Sequence, residues 1–220
     1  MVKPLPKVKI CCIADEREAA LAISLGASAI GLVGAMPSGP GPISDEEIHR
    51  IAKTVPPPIA TFLLTCEQTP RGIIEHHGRT HTNTIQIVDE LEGREYDVIR
   101  ASLPHVKLVQ VIHVIGESSV DEAADLAEHV DAILLDSGNP KLAVKELGGT
   151  GRRHDWQISR RIVETCGKPV FLAGGLNAGN VAKAINTVQP FGLDLCSGVR
   201  TDGKLDKTKL EAFFNAVERC

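Results

Sequence analysis

Eight short apolar runs recur along the chain, at residues 8–12, 29–34, 59–64, 84–88, 106–112, 132–135, 170–172 and 192–196. Their length suits strands that bury both faces. The stretches between most of them carry apolar residues at helical spacing. Residues 15–25 do so and stop at Gly26, a residue suited to the position just past a helix end. Ser44 opens Ser-Asp-Glu-Glu with Glu47 at the capping-box position, and that helix must end before Pro56-Pro57-Pro58. Residues 119–129, 180–187 and 207–218 also read as helices. The segment carrying Arg71, His76, His77, Arg79 and His81 reads as an exposed loop before the fourth strand.

Eight strand-then-helix units in 220 residues predict a parallel sheet. Closure into a single-domain (β/α)₈ TIM barrel over residues 1–220 accommodates all of them. An open doubly wound sheet is the alternative. No GxGxxG follows the first strand, so the nucleotide-binding form of that sheet loses support.

Composition narrows the function classes. Hydrophobic residues make up 43%, enough for one sizeable core. A net charge of -4 offers no broad cationic surface to nucleic acid, and 3% aromatic residues leave few platforms for stacked bases. No apolar run approaches the ~18 residues of a membrane helix, and residues 1–13 lack the apolar stretch of a signal peptide. No membrane partner and a cytoplasmic location are therefore expected. Cysteines stand at 11, 12, 66, 166, 196 and 220 without a CxxC pair. That favours reduced thiols over a disulfide framework or a structural zinc site.

A barrel places its chemistry at the C-terminal ends of its strands. Lys9 and Cys11 share a strand face, and they point into the barrel if Val8 and Ile10 pack on the helices. A nearby ammonium favours a thiolate, so Cys11 is a candidate base or nucleophile; a small core residue is the bland alternative. Asp136 follows four apolar residues at the end of the sixth run. Burial would suit it to a general-acid role, while Asp-Ser-Gly also suits a turn or helix cap. Gly174 and Gly175 follow the seventh run, and Ser197 and Gly198 follow the eighth. Barrels often bind phosphate there through backbone N–H groups; two tight turns are the alternative. Gly148-Gly149-Thr150-Gly151 reads as a loop able to cover the mouth, with Arg152 and Arg153 beside it as possible anion partners or solvated surface charges.

The order and spacing of these pieces resemble the phosphoribosylanthranilate isomerase family of tryptophan biosynthesis. The resemblance runs over nearly the whole chain. It rests on Lys9-Ile10-Cys11, Leu135-Asp136-Ser137, Gly148-Gly149-Thr150-Gly151 with His154-Asp155-Trp156, Leu172-Ala173-Gly174-Gly175-Leu176-Asn177, and Asp194 through Val199. It implies a (β/α)₈ barrel and an Amadori rearrangement of an aminoaldose phosphate to an aminoketose phosphate. Asp136 would act as the acid on the ring oxygen and Cys11 as the base at C2′. Gly174, Gly175, Ser197 and Gly198 would hold phosphate, and Asp194 would face the sugar hydroxyls. Lys9 and Gly149 complete the candidate substrate-binding set. A phosphorylated sugar is the implied partner, with no metal or organic cofactor, on a monomer or homodimer.

Three positions depart from the family pattern. Cys12 stands where the family has glycine, Gly41 where it has the arginine expected to hold the anthranilate carboxylate, and Val88 where it has histidine. Loss of a bidentate arginine removes about 1.5–3 kcal/mol of charge-assisted bonding. Arg71 and Arg79 are candidate replacement cations. An isomerase acting on a different phosphorylated aminosugar and a non-catalytic sugar-phosphate-binding barrel remain alternatives. Retention of Cys11 and Asp136 weighs against the second.

Overall fold

A computed structural model describes residues 4–138 and 154–220. Strands β1 (Lys7–Ile10), β2 (Ala29–Val33), β3 (Ala60–Thr65), β4 (Thr84–Ile87), β5 (Lys107–His113), β6 (Ala132–Asp136), β7 (Val170–Leu172) and β8 (Gly192–Leu195) form a closed barrel in sequence order. Neighbouring strands are parallel, and β8 returns to β1 with Lys9 opposite Asp194. The helices are α1 (Glu16–Ser24), α2 (Asp45–Thr54), α3 (Pro70–Thr80), α4 (Tyr96–Ser102), α5 (Ser118–Ala127), α6 (Trp156–Thr165), α7 (Val181–Val188) and α8 (Lys207–Glu218). Between β8 and α8 lie a 3₁₀ turn, Ser197–Val199, and a hairpin of β9 (Arg200–Thr201) and β10 (Lys204–Leu205). Asp202 and Gly203 supply its two positive-φ turn residues.

The strand pleat divides the side chains between two cores. Val8 and Ile10 join the layer between barrel and helices. Ala29, Phe62, Leu64, Val109, Val111, Leu134 and Phe171 fill the barrel. Phe62 and Phe171 meet edge to face at 5.9 Å. Gly192 makes room for that contact, since a Cβ there would come within 2.5 Å of the Phe171 ring.

Two expectations need correcting. The histidine-rich segment is helix α3, capped by Thr69, whose hydroxyl accepts from Gly72 N–H at 3.1 Å, with Pro70 opening the first turn. His76 and His77 are buried. His76 Nδ1 lies 2.8 Å from Thr65 Oγ1 and its Nε2 lies 3.1 Å from Asp45 Oδ1, while His77 Nε2 meets the Thr82 carbonyl at 2.7 Å. The second correction concerns strand ends. Cys11, Cys12 and Cys196 lie just past β1 and β8. Cys11 N–H still bonds Leu195 O at 2.9 Å, and then Cys12, at φ +62°, turns the chain out of the ladder.

Candidate active site

The C-terminal strand ends surround a cavity lined by Cys11, Cys12, Asp136, Gly174, Gly175, Asp194, Cys196 and Ser197. Six of the nine residues predicted for the site therefore share one wall system. Lys9 lies beneath it, Gly198 stands behind Ser197, and Gly149 falls outside the described residues, as do Arg152 and Arg153.

Lys9 is fully buried, its Nζ 2.8 Å from Asp194 Oδ1 and 5.1 Å from the centroid of the Phe62 ring. Burial works against its charge. The Asp194 carboxylate outweighs that penalty, with Cys11 adding to it, and holds Lys9 above the ordinary lysine range. The ammonium thus anchors Asp194 from below. Gly31 of β2 is the residue that lets this group and Cys11 sit side by side. A Cβ there would stand 2.8 Å from Cys11 Sγ and 2.9 Å from Lys9 Nζ.

Asp136 ends β6 on the inward face and is buried. Burial pushes its carboxyl above the usual range; the Ser137 N–H at 2.7 Å and His113 pull the other way. The local turn and the cavity-facing acid are both present in this one side chain.

The β7 and β8 loops meet behind the cavity. Gly174 and Gly175 have φ of +86° and +64°, and a Cβ on Gly198 would lie 1.9 Å from Leu176 O. Asn180 Nδ2 donates to Gly175 O at 2.9 Å and braces the first loop. His154 brings no charge here. It is packed on α6 with Nε2 2.7 Å from Ser159 Oγ, and burial pushes it down to about 4.

The opposite wall is built by Met36, Ser38, Gly39 and Pro40 from the β2 loop, with Leu64, Gln86, Val88 and Val111. Among the described residues, no Lys, Arg or His lines the cavity. Arg71 and Arg79 are not replacements for the missing arginine. Both lie on α3 outside the barrel, where Arg71 pairs with Glu75 at 2.7 Å and Arg79 with Asp45 at 2.5 Å.

Two of the departures touch each other. A Cβ on Gly41 (φ +85°) would come within 2.6 Å of Cys12 Cβ. Cys12 therefore occupies the space from which a side chain at 41 would have to start. Cys11 and Cys196 beside its thiol, together with burial, push it above the usual thiol range. Cys196 moves down instead, through Cys12 and Arg200. Arg200, which the sequence did not mark, bonds the carbonyl of Cys12 and lies 3.4 Å from that of Cys11, while Glu18 Oε2 is 2.9 Å from its Nη2.

The N-(5'phosphoribosyl)anthranilate (PRA) isomerase family matches residues 8–216 of the chain. The chain belongs to this family. A relative of that name from Methanosarcina acetivorans is 33% identical over 97% of this chain and 93% of its own length. One from Haloferax volcanii is 32% identical over 97% and 94%. The solved phosphoribosyl anthranilate isomerase of Thermotoga maritima superimposes with a TM-score of 0.82 at 27% identity, covering 98% of this chain and all 100% of that one. A family structure in complex with reduced 1-(o-carboxyphenylamino)-1-deoxyribulose 5-phosphate gives 0.79 at 25% identity, with coverage of 98% and 100%.

Proposed function

We propose that this chain is a phosphoribosylanthranilate isomerase that uses Asp136 as acid and Cys11 as base. The observation that carries the reading is that both side chains line one cavity together with Asp194 and the glycine turn after β7. Asp136, whose carboxyl burial pushes above the usual carboxylate range, gives its proton to the furanose ring oxygen and the ring opens to a Schiff base. The Cys11 thiolate then removes the C2′ proton, and the resulting enolamine tautomerises to the ketose. Asp194, held by Lys9, receives sugar hydroxyls. The backbone around Gly174, Gly175, Ser197 and Gly198 holds the phosphate. No step of this scheme calls for a metal or an organic cofactor. A cytoplasmic monomer or homodimer is the working setting; none of the six cysteines forms a disulfide, and no described helix is long and apolar enough to cross a membrane.

Turnover of phosphoribosylanthranilate, followed by the loss of its fluorescence, tests this directly. Cys11→Ala and Asp136→Asn should each lower kcat by about 10³-fold or more while the fold persists. Wild-type-like rates in either variant would remove that residue from the mechanism. A second reading, the same chemistry on a different amine, draws on a wall with no Lys, Arg or His among the described residues. A series of phosphoribosylated amines with and without a carboxylate separates the two.

A further inference from the structure

We propose that Gln86 is a third catalytic residue, whose amide oxygen accepts a hydrogen bond from the bridging nitrogen of the substrate as that nitrogen becomes an iminium. The inference rests on Asp136 and Cys11 being the acid and the base. It stands on a buried acceptor that has no donor. Gln86 is the third residue of β4, is 3% exposed, and lines the cavity that holds Cys11, Asp136 and Asp194. Its Oε1 is buried without a hydrogen-bond partner. Among the described residues, it is the only such side-chain atom on a residue lining this cavity.

The surrounding sequence explains why the fold supplies no donor. In register, Gln86 stands beside Leu64 of β3 and Val109 of β5, both of which fill the barrel. Val88, two residues further along the same face, is apolar too. Gln110 on the neighbouring strand gives the contrast. It takes the outward face of β5, between Val109 and Val111. There its Nε2 donates to Ile87 O at 3.2 Å and to Asp89 O at 3.0 Å, and its Oε1 accepts from Tyr96 Oη at 2.9 Å. One buried amide is satisfied by the protein. The other keeps an acceptor in an apolar wall, which is costly unless something that enters the cavity pairs with it.

The reaction supplies the donor. β4 and β8 are opposite one another in the ring of eight strands, so Gln86 and Asp194 approach the cavity from opposite sides. With the sugar hydroxyls on Asp194 and the amine half against the wall from β2 through β5, the nitrogen that joins the two halves lies between them. That nitrogen carries a hydrogen whichever primary amine was attached to the sugar. When Asp136 protonates the ring oxygen, the C1′–O bond breaks and the nitrogen lone pair closes a C1′=N bond, which leaves a positive charge on the N–H. When the Cys11 thiolate takes the C2′ proton, the C2′–H electrons form C1′=C2′ and the C1′=N pair returns to nitrogen. The positive charge exists only between these two steps. A hydrogen bond from this N–H to Gln86 Oε1 is charge-assisted there and ordinary before and after, and that difference is what lowers a barrier. The amide is neutral, so it steadies the iminium without competing with Asp136 for its proton.

Two substitutions and one complex test this. Gln86→Met keeps the length of the side chain and removes the oxygen; Gln86→Glu keeps the oxygen. Both are read on phosphoribosylanthranilate, or on whichever phosphoribosylated amine the wild type turns over. Gln86→Met should lower kcat by about 10²-fold with KM within about threefold, and Gln86→Glu should return kcat to within about tenfold of the wild type. Equal losses in the two variants, or a loss carried by KM alone, would overturn the proposal and leave Gln86 a packing residue. In a crystal of the wild type with reduced 1-(o-carboxyphenylamino)-1-deoxyribulose 5-phosphate, the amine nitrogen should lie within about 3.2 Å of Gln86 Oε1. A sugar hydroxyl in that place would overturn the proposal as well, and this arm decides even where Gln86→Glu does not fold. Turnover by the wild type with an unaffected Gln86→Met strikes this inference alone. A wild type that turns over none of the phosphoribosylated amines strikes the functional reading, and this inference falls with it.

Discussion

The two walls of the cavity are built differently. The wall from β6 through β8 to β1 carries Asp136, Gly174, Gly175, Asp194, Ser197 and Cys11, and its chemistry is written in side chains and glycine turns. The wall from β2 through β5 is made of a proline- and glycine-rich loop, apolar side chains and Gln86. On the first wall each group is held from behind. Lys9 grips Asp194, Ser137 N–H grips Asp136, and Arg200 grips the Cys11–Cys12 turn. The Cys12–Gly41 contact lies on the seam between the walls. The contrast teaches that a reacting pair is kept by its supports, whereas the surface that receives the rest of the substrate is free to be rebuilt around close packing.

The strongest way to break this comparison is to remove a support. Lys9→Met should leave Asp194 buried without its counter-charge and cost about 3–5 kcal/mol in chemical unfolding, and Asp194→Asn added to it should recover much of the loss. A cost under about 1 kcal/mol would mean that the first wall is not braced from below.

Next in size is a steric test. Gly31→Ala places a methyl group within 2.9 Å of both Cys11 Sγ and Lys9 Nζ. Displacing the sulfur by a fraction of an ångström should lower kcat by about 10²-fold, with a much smaller change in Tm. An unchanged kcat would mean that the position of the sulfur is loosely set.

The smallest effect concerns the seam. Cys12→Gly should relieve the left-handed backbone at the cost of the thiol contacts, for a net change within about 1 kcal/mol. Gly41→Arg should be tolerated better in the Cys12→Gly background than alone, with a coupling of about 0.5–3 kcal/mol in a double-mutant cycle. Additive effects would dissociate the two departures.

Much of this was legible in the chain. Eight apolar runs and their caps anticipated the barrel, because strand and helix periods depend on local pattern. The pleat set Lys9 and Cys11 on one face, and the end of an apolar run set Asp136 at the C-terminal end of its strand. Helix α3 was obscured because His76, His77 and His81 suggest a wet loop, although Thr69-Pro70 is a helix-start signal. Helix α4 has only seven residues, too few for a periodic pattern to stand out. Asp202-Gly203 is a hairpin signal, but the two-residue strands beside it are too short for a pattern. The roles of Arg200 and Gly31 depend on close approach between strands distant in sequence, and no local pattern records that. Cys12 lies between these cases: a glycine position in the family marks a left-handed backbone, but which neighbour a thiol there would meet is a tertiary fact.

Arg200 sits in the final β/α unit, yet its guanidinium clasps Glu18 on α1 and the carbonyl of Cys12. The ring is thus buttoned shut at the point where its first and last modules meet, and the button is fastened to the turn that carries the thiol. Loss of the Arg200 side chain should be felt first at residue 11. An Arg200→Gln protein, which keeps α8 packed on the core, would slow while its spectroscopic signature still reported an intact barrel.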